Sequence, residues 1–264
     1  MQPPRHRFCR FATVFSVASV WFRHATAMLP TMIGWRRPLS SPCSRLLATF
    51  PSDSDWDSDY PSHWTSVTSP QSKTAKLFRS LLSKRKSREE HGLTVVEGRN
   101  LVGDLLLRRP HLLSHVLLSS DLYFRPRAAD DPWNPLLSRL AAPSSPRVSL
   151  VPPALLSACC DTRTPSGVAA AARHPAPFDP SDSDDALILI LDGLSDPGNA
   201  GTLIRSAAAA GARAVLLLGP ECADPHSPKT ARAAMGASFS LPLRRVRNWT
   251  ECRGVLERCG VEEG

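Results

Sequence analysis

The chain has 264 residues, 42% of them hydrophobic, a formal net charge of +8 and 25 prolines. That size suits one large domain or two small ones with tails, and so many prolines point to long irregular segments. Seven arginines (Arg5, Arg7, Arg10, Arg23, Arg36, Arg37, Arg45) and neither a lysine nor an acid lie within residues 1–52, so the remainder carries only +1; this excludes a uniformly basic chain and leaves local patches to carry any nucleic-acid role.

In chain order, residues 1–52 combine arginine and serine with apolar side chains at helical spacing (Phe8, Phe11, Phe15, Trp21, Phe22), the pattern of a mitochondrial transit peptide. The rival is a secretory signal cleaved at Ala25-Thr26-Ala27; basic character persisting to Arg45 favours the mitochondrial matrix. The apolar run of about a dozen residues is too short to span a bilayer, so no membrane association is expected. Residues 53–72, rich in Ser, Asp and Pro, read as a disordered linker.

The spacing of Leu77, Phe78, Leu81 and Leu82 predicts an amphipathic helix over Lys73–Arg88. Its seven cations, with no acid in that window, suggest a phosphate-contacting face. Alone, such a run is as readily a solvated helix face. Strands are predicted at Leu93–Val96, His115–Leu118, Val148–Val151 and Gly167–Ala172, helices at Arg99–Arg109 and Leu155–Cys160, and a long loop at 120–146. Residues 73–174 thus read as a small βαβ-type domain.

After a second linker (175–185), Ala186–Leu191 is the apolar run of a parallel strand buried on both faces. A turn, Asp196-Pro197-Gly198-Asn199, opens a helix over Ala200–Ala210, with Asn199 as its cap and Gly211 at its left-handed end. Strands at Ala214–Leu218 and Ser238–Leu243 and helices at Ala231–Gly236 and Trp249–Cys259 follow. The turn sits where open α/β sheets bind ligands, although turn chemistry alone explains its residue types. Arg205 could equally pair with Asp192 or Asp196. The chain has no G-x-G-x-x-G fingerprint, P-loop or nucleophile elbow. Eight scattered histidines and seven cysteines, including adjacent Cys159 and Cys160, lack metal-ligand spacing. No metal is expected, and the thiols read as reduced and structural.

Asp196 to Ala207, followed by Ala210-Gly211, resembles the first motif of the SpoU/TrmH family, RNA ribose 2′-O-methyltransferases of the knotted SPOUT type. Ser227 to Leu243 is similar to the segment that follows it in that family. Ser83–Arg88 with Val96–Arg99, and Asp161–Val168, resemble its N-terminal substrate-binding domain. The resemblance covers about residues 73–243. It implies an α/β fold in which a small substrate-binding domain (73–174) precedes a SPOUT, trefoil-knot type parallel-sheet domain (186–264). It also implies methyl transfer from S-adenosyl-L-methionine to a ribose 2′-hydroxyl of rRNA, which with the leader means mitochondrial large-subunit rRNA. Asn199 and Arg205 would be catalytic. Lys84, Arg85, Lys86, Arg88 and Arg99 would bind RNA.

Because a guanidinium does not readily lose a proton, Arg205 is expected to hold a phosphate and stabilise the developing alkoxide, with Asn199 orienting the loop and the arginine. The family's Gly-x-Glu-Gly type loop, and its Ile-Pro-Met segment with a Ser-Leu-Asn run, are not found in this sequence. The SPOUT part is therefore expected to be incomplete, its donor-binding residues unknown, its strand edges and apolar faces uncovered. A homodimer is implied for the family, through a contact built mainly from those same segments. A non-catalytic RNA-binding protein is the alternative; an unrelated nucleotide-binding α/β protein is disfavoured by the missing phosphate loop.

Overall fold

The structure, a computed structural model, describes residues 13–16, 60–176, 178 and 187–259. It divides into one unit of Met1–Val17 with Ser62–Gly264 and a second of Ala18–Pro61, of which only Tyr60 and Pro61 are described. The rest of the expected transit peptide, most of both linkers, Cys9 and Cys43 lie outside the described residues. Within the leader, β1 (Thr13–Ser16) is a strand where helical spacing had suggested a helix; its β-branched Thr13-Val14 pair favours extended backbone.

The first sheet contains β2 (Thr65–Ser66), β3 (Leu93–Glu97), β4 (Leu113–Ser119), β5 (Arg147–Val151) and β6 (Val168–Arg173), in the order β2-β5-β4-β6-β3. It is mixed rather than simply βαβ: β6 runs antiparallel to both β3 and β4, while β4, β5 and β2 are parallel. The sheet takes in chain upstream of Lys73. There Trp64 is buried and its indole N–H donates to the Leu140 carbonyl at 3.0 Å, so this end of the expected linker is fixed. The expected loop at 120–146 holds two short helices, α4 (Ser120–Phe124) and α5 (Asn134–Leu140), and the helix expected at 155–160 is α6 (Pro153–Ala158). Pro135 falls in the first turn of α5, where its missing N–H costs nothing, and Leu136, Leu137 and Leu140 are buried.

The single helix expected over 73–88 is two. Helix α1 (Lys73–Ser83) is capped by Ser72 and buries Ala75, Phe78 and Leu81 against β3, β4 and the alanines of β6. The chain turns extended at Lys84 and restarts as α2 (Arg85–His91). The break lets Arg88 fold back so that its Nη1 donates to the carbonyls of Leu81 (2.6 Å) and Leu82 (3.2 Å). The remaining N–H groups of Arg88 meet Asp224 Oδ2 at 2.9 and 2.7 Å, with the side chains 7% and 15% exposed. Arg88 is therefore consumed inside the protein and drops out of the RNA-facing set.

The second sheet is all parallel, in the order β1, β7 (Ile188–Asp192), β8 (Ala214–Leu218), β9 (Leu243–Val246). One face packs on α7 (Pro197–Ala209) and α8 (Pro228–Ala233) through Leu191, Ile204, Val215, Leu217 and Ala234. The other packs on Phe178 and α9 (Trp249–Arg258) through Ile190, Leu216, Val246 and Val255. Both faces of β7, β8 and β9 are thus covered, where bare apolar faces were expected. The β9 edge carries Arg244 and Arg245, which discourage edge-to-edge pairing. The strand expected at 238–243 begins only at Leu243, because Ala237–Phe239 forms a 3-10 turn after Gly236, whose φ is 88°. Helices α7 and α8 touch at Gly201: a Cβ there would lie 2.6 Å from Ala233 Cβ and from the Thr230 carbonyl.

The two sheets meet where β3, an edge strand, lies against α8 and the loop before it. Leu93 and Val95 face α1, while Thr94 faces the second sheet's loop. The Thr94 hydroxyl donates to the His226 carbonyl (2.9 Å), so it accepts from His174 Nε2–H (2.9 Å). The His174 and His226 rings stack 3.7 Å apart. Burial, and then the neighbouring His174, hold His226 down at about 3; burial also lowers His174. Far from this joint, His115 donates or accepts at Ser149 Oγ (2.8 Å) and burial, then Arg147, lower it to about 4.

Two predictions concern this joint. Asp224→Ala leaves a buried guanidinium unpaired and lowers unfolding free energy by about 3–5 kcal/mol in urea titration; a loss below about 1 kcal/mol would show that the pair does not bear on stability. The histidines titrate near pH 6.5 when unfolded but lower when folded, so acid favours the unfolded chain. Stability is fully present above about pH 6.5 and declines as pH falls toward 4, a loss that calorimetric Tm values will follow and that His226→Phe makes shallower.

Candidate functional site

Helix α7 begins one turn after β7 ends. Its cap is Asp196, not Asn199: Asp196 Oδ1 accepts from the Asn199 backbone N–H at 2.7 Å, with Pro197 in the first turn. Asn199 is the third helical residue, and its side chain is exposed. Gly211, at φ 77°, ends the segment as expected.

Arg205 lies six residues further along, exposed. Six residues of α-helix amount to about 9 Å of rise and leave the two side chains about 120° apart around the axis. Asn199 and Arg205 thus share a helix but not a face, and Asn199 does not orient the arginine directly. Among the described residues Arg205 has no ion pair with Asp192 or Asp196. Its Nη1 instead lies 2.8 Å from Met235 Sδ. Met235 is 66% exposed and has φ 49°, the left-handed region that a side chain of its size rarely adopts.

Arg205 faces a cavity of about 590 Å³ that it shares with Arg108, Arg109 and His111 from the end of α3 (Arg99–Arg108) and the turn beyond it. A second cavity, about 870 Å³, is bounded by Glu97, Arg99, Asn100, Trp133 and Arg232. Asp104 and Met235 line both. Arg99 stands 5.9 Å over the Trp133 ring. Glu97 accepts from the Thr162 hydroxyl at 2.6 Å and pins the loop whose Asp161 pairs with Arg232 at 2.8 Å.

Of the expected RNA-facing residues, Arg99 lies in this cleft, while Lys84, at the break before α2, and Arg85 and Lys86, on α2, are exposed. Arg85 and Lys86 pair with Glu89 (2.7 Å) and Glu90 (3.7 Å), acids that fall just outside the window in which the run looked uncompensated. Arg108, Arg109, His111 and Arg232 escaped notice in the sequence. A cue existed in the adjacent Arg108-Arg109 pair at the end of a helix, but only the fold shows that it faces Arg205.

At the carboxyl ends of the second sheet's strands, Arg245 donates to the carbonyls of Gly219 (3.3 Å), Pro220 (3.1 Å), Cys222 (2.9 Å) and Ala223 (3.3 Å). Burial, then Arg85, lower its pKa. Cys159, Cys160, Cys222 and Cys252 form no disulfide among the described residues, and burial pushes their thiols up, Cys159 to about 11. No cluster of metal-ligating side chains exists among the described residues.

A parallel α/β sheet with a capped helix at a strand end, joined to a small mixed sheet across a basic cleft, is the architecture of SPOUT methyltransferases. Residues 186–262 match the SpoU rRNA Methylase family. The chain is 32% identical over 192 residues to an uncharacterized tRNA/rRNA methyltransferase of Synechocystis, covering 69% of this chain and 63% of the relative. It is 31% identical to mouse mitochondrial rRNA methyltransferase 3, covering 64% and 39%. With the Bacillus subtilis 23S rRNA (guanosine(2553)-2′-O)-methyltransferase it shares 29% identity over 74% and 71%. The AdoMet-bound rRNA methyltransferase of Sinorhizobium meliloti superposes with a TM-score of 0.58 at 26% identity, over 75% and 70% of the two chains. The matches thus span less than two thirds of the Synechocystis and mouse relatives.

Proposed function

We propose that the protein takes part in 2′-O-methylation of RNA ribose, with S-adenosyl-L-methionine as methyl donor and large-subunit rRNA of mitochondria as substrate. One observation carries the reading furthest: Arg205, in the segment that matches the methylase family, is exposed and opens onto a basic cleft shared with the small domain. The relatives' names supply the chemistry; the arginine-rich, acid-free leader and the mouse relative support the compartment.

In this reading the chain's residues form the acceptor side. Arg205 stays cationic, so it holds a phosphate and stabilises charge on the 2′-oxygen as its proton leaves to phosphate or water. Asn199, in the first turn, contributes to the loop that receives the ribose rather than to the arginine. Arg99, Lys84, Arg85 and Lys86 add phosphate contacts, the last two by exchanging exposed glutamate partners that bind them weakly. On the donor side, carbonyls that the loop after β8 would offer a bound S-adenosylmethionine are already held by one side chain. The carbonyls of Gly219, Pro220, Cys222 and Ala223 are taken by Arg245.

That occupancy favours a second reading, an RNA-binding protein without methyl transfer. Calorimetric titration with S-adenosylmethionine separates the two: micromolar binding supports the enzyme, and none at millimolar donor supports the binding protein. For the enzyme, transfer of radiolabelled methyl to RNA yields alkali-stable dinucleotides. Arg205→Ala lowers that rate by about 10²- to 10³-fold while RNA affinity falls less than tenfold. An unchanged rate would remove Arg205 from the chemistry.

A further inference from the structure

The two cavities share the wall formed by Asp104 and Met235 and so make one groove, running from Arg109 and His111 past Arg205 and Met235 to Arg99, Trp133 and Arg232. We propose that this groove is a track for single-stranded RNA, in which Arg108 and Arg109, with His111, hold the phosphates flanking the nucleotide presented to Arg205. The inference rests on the reading of the chain as an RNA-modifying protein and extends it by naming the residues that position the strand.

Four observations converge. The first is charge: Arg108, Arg109, Arg205, Arg99 and Arg232 border the groove against few acids. Asp104 is half-exposed and pairs with Arg108 at 2.5 Å, an exposed pair that a phosphate displaces at little cost. Glu97 is occupied by Thr162, and Asp161 by Arg232. The second is exposure. Arg108, Arg109 and His111 are all solvent-exposed, and the His111 carbonyl accepts from Arg173 at 3.0 Å, which fixes the turn that carries them.

The third is the aromatic at the far end. Trp133, only 9% exposed, lies beneath Arg99 and holds that guanidinium as the wall of the groove, a planar surface on which an unpaired base stacks. The fourth is Met235. A large side chain held in left-handed backbone and left exposed between two cavities is a local cost that packing does not explain. It stands where it separates one nucleotide from the next. Cavities of this size admit unpaired nucleotides but not a paired helix, whose recognition depends on a wide, shallow minor groove.

The test is fluorescence anisotropy of the chain with a labelled single-stranded RNA of about a dozen nucleotides, and with a duplex of the same sequence, across a range of salt. Wild type is expected to prefer the single strand. Arg108→Ala with Arg109→Ala is expected to weaken single-strand binding about tenfold or more and to reduce the slope of log K against log salt by about 1.4, or 0.7 for each phosphate no longer neutralised. Because both residues are exposed, circular dichroism melting should stay near wild type; Arg109→Glu, with a larger loss, serves as the second variant. Wild-type RNA binding that is unaltered by these substitutions, or tighter binding of the duplex, overturns the groove while leaving the RNA reading intact. Failure of wild type to bind either RNA overturns both.

Discussion

The buried ion pair between Arg88 and Asp224 is what the rest of this structure depends on. It joins residues 136 positions apart in sequence, and it places the edge strand of one sheet on a helix of the other. Through the same joint pass Thr94, the stacked His174 and His226, and the Ser227 hydroxyl that caps α8 on Thr230 N–H. Since a guanidinium removed from water is costly unless every N–H finds an acceptor, the pair fixes α2, β3 and the 224–230 segment in one arrangement. The cleft exists only in that arrangement, because α3 supplies one wall and α7 and α8 the other.

Much of the fold was legible in the sequence. Local patterns located β3, β4, β5 and β6 within a residue or two, and the parallel strands β7 and β8 were read from unbroken apolar runs. The stop of α7 followed from Gly211, while its start, at Pro197 after the Asp196 cap, lies three residues before the expected one. What was missed has a common physical origin in long-range partners. The kink at Lys84 answers a carboxylate on the other sheet. Helix α5 looked like a loop because Pro132, Pro135 and nearby small residues dominate the window, whereas Leu136, Leu137 and Leu140 form its buried face. The antiparallel course of β6 is a property of topology, for which its four consecutive alanines carry no cue.

The site was less legible than the fold. The resemblance singled out Arg205 and the 196–207 segment, and the structure leaves that arginine exposed in a cleft. The same reasoning took Arg88 for a surface cation, since sequence shows a charge without its partner. It also took Asn199 for a cap where Asp196, three residues earlier, already accepts the N–H. By residue type alone, nothing sets Arg108 and Arg109 apart from ordinary helix-end cations, which favour a helix dipole. Their relevance appears only when α3 is seen to end opposite Arg205.

If two sheets clasp one RNA strand, both walls must respond to it together. Hydrogen–deuterium exchange of the chain with and without a short single-stranded RNA measures this directly. The account predicts slowed exchange at 104–113, on the first sheet's wall, and at 232–240, on the second's, at the same RNA concentration. Slowing confined to one wall, or to neither, would contradict it.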